Sequence, residues 1–342
     1  MDRFALLPAL EKFAYLKATA DNFGILPELI EKDFWACWIL KQLFSLEEFG
    51  SHITFKGGTS LSKCYNAIQR FSEDIDVAIE RKYLERGKNI EPALGESNKE
   101  NKRRIEELMA LAEEAIHKKI LPQLRQKVGG VLKNNDSWAI EPDPDDHLHQ
   151  TLLFMFPAAV TKSVNDYVRP FVKIEMGARA DDWPIQSADI VPYVAQILPE
   201  DLAVESTTVK VLSAERTFWE KVEILHRLYH LPEDKIISDR MSRHYYDLYE
   251  MSLAGIFEKA LEKIGLLQSV VEFNKLFFRY SWLDYDEVKR GSLRLAPKNA
   301  EQIKELKADY LKMQQMFLKK PPTFAQIISG LKSMEERINK VK

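Results

Sequence analysis

The stretch Phe55–Glu80, FKGGTSLSKCYNAIQRFSEDIDVAIE, decides how this chain is read. The segment HITFK (52–56) has the β-branched and aromatic content of a short strand. Gly57-Gly58 follows as a turn, SLSKCYNAIQRF (60–71) reads as a helix, and DIDVAIE (74–80) alternates like a half-buried strand. Side chains two apart on a strand share a face, so Asp74 and Asp76 stand side by side while Ile75 and Val77 point to the core. Two carboxylates so close repel each other unless a cation lies between them. A hard ion such as Mg²⁺ takes carboxylate oxygens and completes its shell with water and substrate phosphates. Two such ions, about 3.5–4 Å apart, stabilise the attacking and leaving oxygens of phosphoryl or nucleotidyl transfer.

The glycines fit the same chemistry. Gly57-Gly58-Thr59-Ser60 lies at a strand-to-helix junction, where glycine lets the backbone approach a ligand and the helix start offers free N–H groups to phosphate oxygens. Thr59 and Ser60 add hydroxyls, and Lys56, Arg70 and Ser72 flank the motif. A phosphate cradle followed by paired carboxylates points to a nucleoside triphosphate (NTP) held for attack. The motif is neither a Walker A loop nor a dinucleotide fingerprint, because GxxxxGK[ST] and GxGxxG are both absent. Taken singly, a glycine pair or an Asp-x-Asp would read as a turn and a solvated edge strand. Their order together favours the functional reading.

Working outward, the first fifty residues have helical spacing, with Ile30, Phe34, Trp38, Ile39 and Leu43 on one stripe and Pro27 suited to a first turn. Lys88–Lys127 is charge-rich and helix-forming, with mixed signs. From Val128 to about Leu198 the segments VGGVLKNN, HQTLLFMFPAAV, YVRPFVKIEMGAR and ADIVPYVAQIL read as strands, with EPDPDD a loop between them. Helical period returns after Val211, where SAERTFWEKVEILHRLYH starts at a Ser213 cap. SRHYYDLYEMSL follows, and two more helices from Ala300 onward are split by Lys319-Lys320-Pro321-Pro322.

With 342 residues and 45% hydrophobic content the chain is long enough for two packed units. A formal net charge of −3 rules out a chain-wide basic surface. Two cysteines, Cys37 and Cys64, suggest no disulfide framework and a reducing compartment. The N-terminus does not read as a secretory signal, and no apolar stretch reaches the roughly 18 residues of a membrane span. The expectation is a cytoplasmic protein without a membrane segment.

KGGTSLSK followed by RFSEDIDVAIE resembles the signature of the AbiEii/AbiGii toxin family of nucleotidyltransferases, within the DNA polymerase β-like superfamily. ERTFWEKVEILH, SRHYYDLYEM and PPTFAQIISGLKSMEERIN are similar to later blocks of that family, so the resemblance covers roughly Glu31 to Asn339. Thr59 stands where the wider superfamily often has Ser. The resemblance implies an α+β fold: a helical N-terminal segment (1–48), a polymerase β-like nucleotidyltransferase core (49–205) with a helical insertion near 92–127, and a helical C-terminal domain (206–342).

It also implies roles. Asp74 and Asp76 would hold Mg²⁺, Lys56, Gly57, Gly58, Thr59, Ser60, Arg70 and Ser72 would bind nucleotide, and Lys221 of RTFWEK would bind the triphosphate and balance the leaving pyrophosphate. Asp247 of RHYYDL would orient Lys221 or help hold nucleotide or metal, its plain alternative being a helix-start acid. Glu175 is the candidate third carboxylate, for metal or for the acceptor proton, and an ion pair with Lys173 on the same strand face is an equal reading. Arg216–Glu220 reads equally as an i,i+4 pair, and Tyr245 and Tyr246 as core. Family members are the toxin halves of two-gene toxin–antitoxin systems linked to phage resistance, with a separately encoded antitoxin, and some modify the acceptor end of tRNA. The expected activity is therefore Mg²⁺-dependent transfer of NMP from an NTP to an acceptor hydroxyl at a tRNA 3′ end. The alternatives are transfer to a protein Ser, Thr or Tyr, and a nucleotide-binding module without catalysis. Cations at 99–127 could line an RNA groove.

Other clusters read as structural. Asp145–His149 lies in a Pro/Asp-rich loop without zinc spacing. Glu223, His226 and His230 lack the second E-x-x-H that a di-iron site needs. Cys64 has no base near it in sequence.

Overall fold

Three helices open the chain, α1 (Asp2–Ala5), α2 (Ala9–Phe23) and α3 (Pro27–Phe44). Pro27 takes the first turn of α3, where its missing N–H costs nothing. From Leu29 to Leu40 every residue of α3 is buried, so this helix lies inside the protein rather than along its surface. The structure, a computed structural model, describes residues 1–72, 74–85, 87–133, 137–160, 170–179, 181 and 183–340. Glu73, 134–135 of VGGVLKNN and 167–169 of YVRPFVKIEMGAR lie outside the described residues.

The chain continues as β1 (Ile53–Lys56), α4 (Gly57–Lys63), β2 (Asp74–Ile79), α5 (Arg81–Glu85), α6 (Asn98–Ala115) and α7 (Leu121–Leu132), then β3 (Ala139–Pro142), β4 (Thr151–Met155), β5 (Phe171–Gly177), β6 (Ile185–Ile190) and β7 (Thr207–Leu212). The strands form one mixed sheet in the order β3-β4-β5-β2-β1-β7-β6. β2 runs parallel to β5 and antiparallel to β1, while β1 runs parallel to β7. Trp35 and Trp38 of α3 seat against Phe154 of β4 at ring distances of 5.9 Å each, and Trp35 stacks on Phe156 at 5.7 Å. Such aromatic pairs add to the area they bury and fix the helix against the sheet.

The second half is α8 (Ala214–Tyr229), α9 (Ser242–Leu253), α10 (Ile256–Glu262), α11 (Gly265–Phe277), α12 (Ala300–Lys312) and α13 (Phe324–Lys340). Ser213 caps α8, its hydroxyl accepting from the Arg216 amide at 3.2 Å. Phe218 stacks on Phe257 at 5.7 Å and Trp219 Nε1 donates to the Ala260 carbonyl at 3.2 Å, which locks α8 to α10.

The chain divides into two compact units, 1–64 with 71–91 and 98–212, and 65–70 with 92–97 and 213–342. The N-terminal helices thus pack with the sheet, and the main division falls at 212/213. The fold is α+β, and among the described residues all seven strands lie in the first unit.

Several expectations are corrected. VGGVLKNN is not a strand up to Leu132: Leu121, Leu124, Val128 and Leu132 bury one face of α7, and that spacing carries the helix through Gly129-Gly130. The helix expected over 60–71 stops at Lys63, and Asn66 follows at φ +47°. Residues 65–70 instead join the second unit, where Arg70 bridges Phe317 in an antiparallel pair. Gly57-Gly58 is the first turn of α4 rather than a separate turn. The strand expected over ADIVPYVAQIL is shorter: β6 ends at Ile190, before Pro192 can interrupt the ladder. The helices α10 and α11 lie in the stretch expected to be helical, with Leu266, Leu267, Val270, Val271 and Phe277 of α11 buried at helical spacing.

Candidate active site

The first group of expected residues lies on one face of the sheet in the first unit. Along β2, Asp74 and Asp76 are half-buried while Ile75 and Val77 are buried, so the alternation places both carboxylates on the same side. Register then adds neighbours. Asp74 pairs with Lys173 and Asp76 with Glu175 on β5, and Asp76 pairs with Lys56 on β1. Cross-strand partners share a face, so Lys56, Asp76 and Glu175 form one row and Asp74 and Lys173 the next. Sequence reasoning named Glu175 but could not place it beside Asp76, because register is a long-range property.

Gly57 is required twice. Its φ of +76° lies in the left-handed region, which glycine enters without penalty. A Cβ there would also overlap the Asp76 carboxylate, whose Oδ2 lies against the Gly57 backbone. Thr59 donates its hydroxyl to the Asp74 carbonyl, and Ser60 donates to the Gly57 carbonyl at 2.9 Å. Both side chains are buried. The Thr59 hydroxyl ties the glycine loop to the start of β2, and the Ser60 hydroxyl bonds back to the loop itself. Ser72 is half-buried just before β2.

Glu175 lies 3.0 Å from Lys173 Nζ through Oε1, so the ion-pair reading is realised alongside its place in the acidic row. The same ammonium lies 3.5 Å from Asp143 Oδ2. Asp143 was missed because it follows a short edge strand in a Pro/Asp-rich loop and shares no local pattern with β5. Burial works against the charge on Lys173, but the hydrogen bond and charge of Glu175, with Asp143 and Asp74, override it and push its pKa up.

The second group lies in the second unit, around Asp247. This carboxylate, the sixth residue of α9, is completely buried and is no helix-start acid. Its Oδ1 accepts from Arg70 Nε at 2.7 Å, and its Oδ2 accepts from Arg70 NH2 at 2.8 Å and from Lys221 Nζ at 2.9 Å. Arg70, expected as a nucleotide ligand beside the glycine loop, is thus one arm of a bidentate pair here. His244 Nδ1 lies 3.5 Å from Lys221 Nζ. Burial would raise the Asp247 pKa, yet the Arg70 and Lys221 cations hold it well below the usual carboxylate range. Lys221 is lowered, because burial outweighs its half-share of one carboxylate, and burial beside Lys221 keeps His244 well below its usual value, hence neutral. Two cations share one anion, so the charges of this trio sum to +1.

Other candidates resolve as packing. Tyr245 and Tyr246 are core, at 0% and 1% exposure. Arg216 pairs with Glu220 at 3.5 Å. Along α6 and the segment joining it to α7, cations pair with acids: Arg103 and Arg104 with Glu100, Lys118 with Glu114, and Lys119 with Glu48. Arg125 and Lys127 of α7 instead donate to the Ile140 and Ser45 carbonyls, at 2.9 and 2.7 Å, and keep their charge. In the 143–149 loop, Asp146 accepts from the amides of Leu148 and Gln150 at 2.9 and 2.8 Å. Among the described residues no three or more His, Cys, Asp or Glu side chains converge as a metal cluster. No helix among them is long and apolar enough to cross a membrane.

The glycine loop is thus bonded to the Asp-x-Asp strand in the first unit, and in the second Lys221 of α8 pairs with Asp247 of α9. A family model described as nucleotidyl transferase AbiEii toxin, Type IV TA system, matches residues 38–330. The chain belongs to this family. AbiEii membership makes it a nucleotidyl transferase of a toxin–antitoxin system, and so implies an NTP substrate and an antitoxin partner. Among solved structures, the crystal structure of JHP933 from Helicobacter pylori is similar at 13% identity and a TM-score of 0.41, over 92% of this chain and 94% of that one. No curated protein sequence matches the chain.

Proposed function

We propose that this AbiEii member transfers a nucleoside monophosphate from an NTP to a hydroxyl of an RNA acceptor, at a tRNA 3′ end. The observation that carries the transfer chemistry is the Asp74/Asp76 pair on one face of β2, packed directly against Gly57. The acceptor class follows the family resemblance.

The donor set fits a hard divalent ion. Asp74 and Asp76 offer carboxylate oxygens on a half-exposed face, with no closed cage of side chains among the described residues. Mg²⁺ suits such a site because it keeps several shell positions for water and phosphate. Bound there it would neutralise phosphate charge. The glycine loop supports a polymerase β-like core, with β1, α4, β2 and β5 as its centre. In the reaction, the acceptor hydroxyl gives its proton to water as its oxygen forms a bond to the α-phosphorus, the bond from that phosphorus to the β-phosphate bridging oxygen breaks, and pyrophosphate leaves. The main chain at Gly57-Gly58 approaches the phosphates, and Glu175 completes the acidic row. In the second unit, Asp247 is shared between Arg70 and Lys221, so the Lys221 ammonium is only partly compensated and has affinity for an anion, which supports a phosphate-binding role.

The test is incubation with each α-³²P-NTP, Mg²⁺, and total cellular RNA and protein. Label on small RNA that is lost in Asp74→Ala/Asp76→Ala supports the proposal and names the nucleotide. Label on protein moves the acceptor to Ser, Thr or Tyr, and NTP binding without transfer to any acceptor overturns catalysis.

A further inference from the structure

Lys173 sits among the acids of this sheet face, in the row next to that of Asp76 and Glu175. It is the register partner of Asp74, lies 3.0 Å from Glu175 Oε1 and lies 3.5 Å from Asp143 Oδ2. Asp143 is itself fixed: its amide donates to the Thr151 carbonyl at 2.9 Å, and its Oδ1 accepts from the Asp145 amide at 3.0 Å. Only 9% of its side chain is exposed. The lysine is therefore tethered between an anchored carboxylate and the third acid of the row. A two-ion site needs its carboxylates free to serve two cations about 3.5–4 Å apart. Here an ammonium already occupies the third carboxylate, and an ammonium is a compact point charge with three donors.

Resting on the reading of Asp74 and Asp76 as the metal-binding pair, we infer that Lys173 takes the place of a second cation, so that the chain binds one divalent ion. Glu175 then serves chiefly to hold Lys173. The ammonium is always present, so one unit of positive charge on this face is built into β5 and does not depend on divalent ion concentration. Lys173 is a positioning residue in this scheme, acting on the site through the acids it holds.

The experiment is titration of Mn²⁺ into the full chain, with free Mn²⁺ read by electron paramagnetic resonance and folding checked by circular dichroism. Wild type is expected to bind one Mn²⁺ per chain. Lys173→Met should bind a second ion, or bind the first about tenfold tighter, because a unit positive charge has left this face. Lys173→Arg should match wild type. Equal stoichiometry and affinity in wild type and Lys173→Met overturn the inference, and so do two ions on the wild-type chain, a result that needs no variant to fold. Asp74→Asn/Asp76→Asn separates the two readings. If it abolishes ion binding while Lys173→Met behaves as wild type, only the role of Lys173 fails. If it leaves ion binding intact, the carboxylate pair is not the metal site and the underlying reading fails with it.

Discussion

Gly57 and Asp76 interlock: the backbone at Gly57 takes φ +76°, and the space a side chain would fill there is occupied by the Asp76 carboxylate. The glycine of the loop and the second acid of the strand are thus one structural unit, which explains why the two motifs occur together.

Gly57→Ala should destabilise the chain by about 2–4 kcal/mol, from left-handed backbone strain plus displacement of Asp76. In an Asp76→Ala background the second part disappears, leaving about 1–2 kcal/mol of strain. Denaturant unfolding of the two single variants and the double variant measures that coupling. Strict additivity would show that the loop and the carboxylate do not meet.

Asp247→Ala strands two buried cations and should cost about 3–5 kcal/mol. Asp247 has a folded-state pKa below its unfolded value, so its stabilisation is complete above about pH 4 and is lost as the pH falls further. The acid limb of a thermal-stability profile should flatten in Asp247→Asn. An unchanged acid limb would show that the carboxylate is not held by Arg70 and Lys221.

Glu223 gives a prediction of opposite sign. Burial in α8 pushes its pKa up to about 7 despite Arg227 at 3.8 Å. A raised acid pKa means the folded chain holds the proton longer, so stability falls as the pH rises from about 4.3 to about 7. Glu223→Gln should therefore gain stability over wild type with rising pH, by about 2–4 kcal/mol at pH 8. Its neighbour His226, brought down to about 4 by burial, acts below pH 6.5 and is common to both chains. Melting temperatures between pH 5 and pH 8 distinguish the outcomes.

Cys64 is half-buried, with its thiol pushed up to about 12 by burial, and Cys37 is fully buried and raised as well. Thiolate is the reactive form, so both should react slowly with a thiol reagent at pH 8 in the folded chain and rapidly once it is unfolded. Cys64→Ala should keep full transfer activity. A fast-reacting cysteine in the folded chain would contradict this burial.

Local pattern made much of this protein legible. The strand alternation of 74–79, the Ser213 cap, α9 over Ser242–Leu253 and the split tail helices are written in spacing and cap residues, which act over a few positions. The carboxylate pair and its loop were readable because they occupy one short run of residues, and the family because its blocks are each short and local. That Glu175 lies beside Asp76, that Lys173 bridges Glu175 and Asp143, and that Arg70 reaches Asp247 across 177 positions of chain emerged only from the folded chain. Sheet register and the pairing of buried charges are set by which elements pack together, and no short window of sequence carries that information.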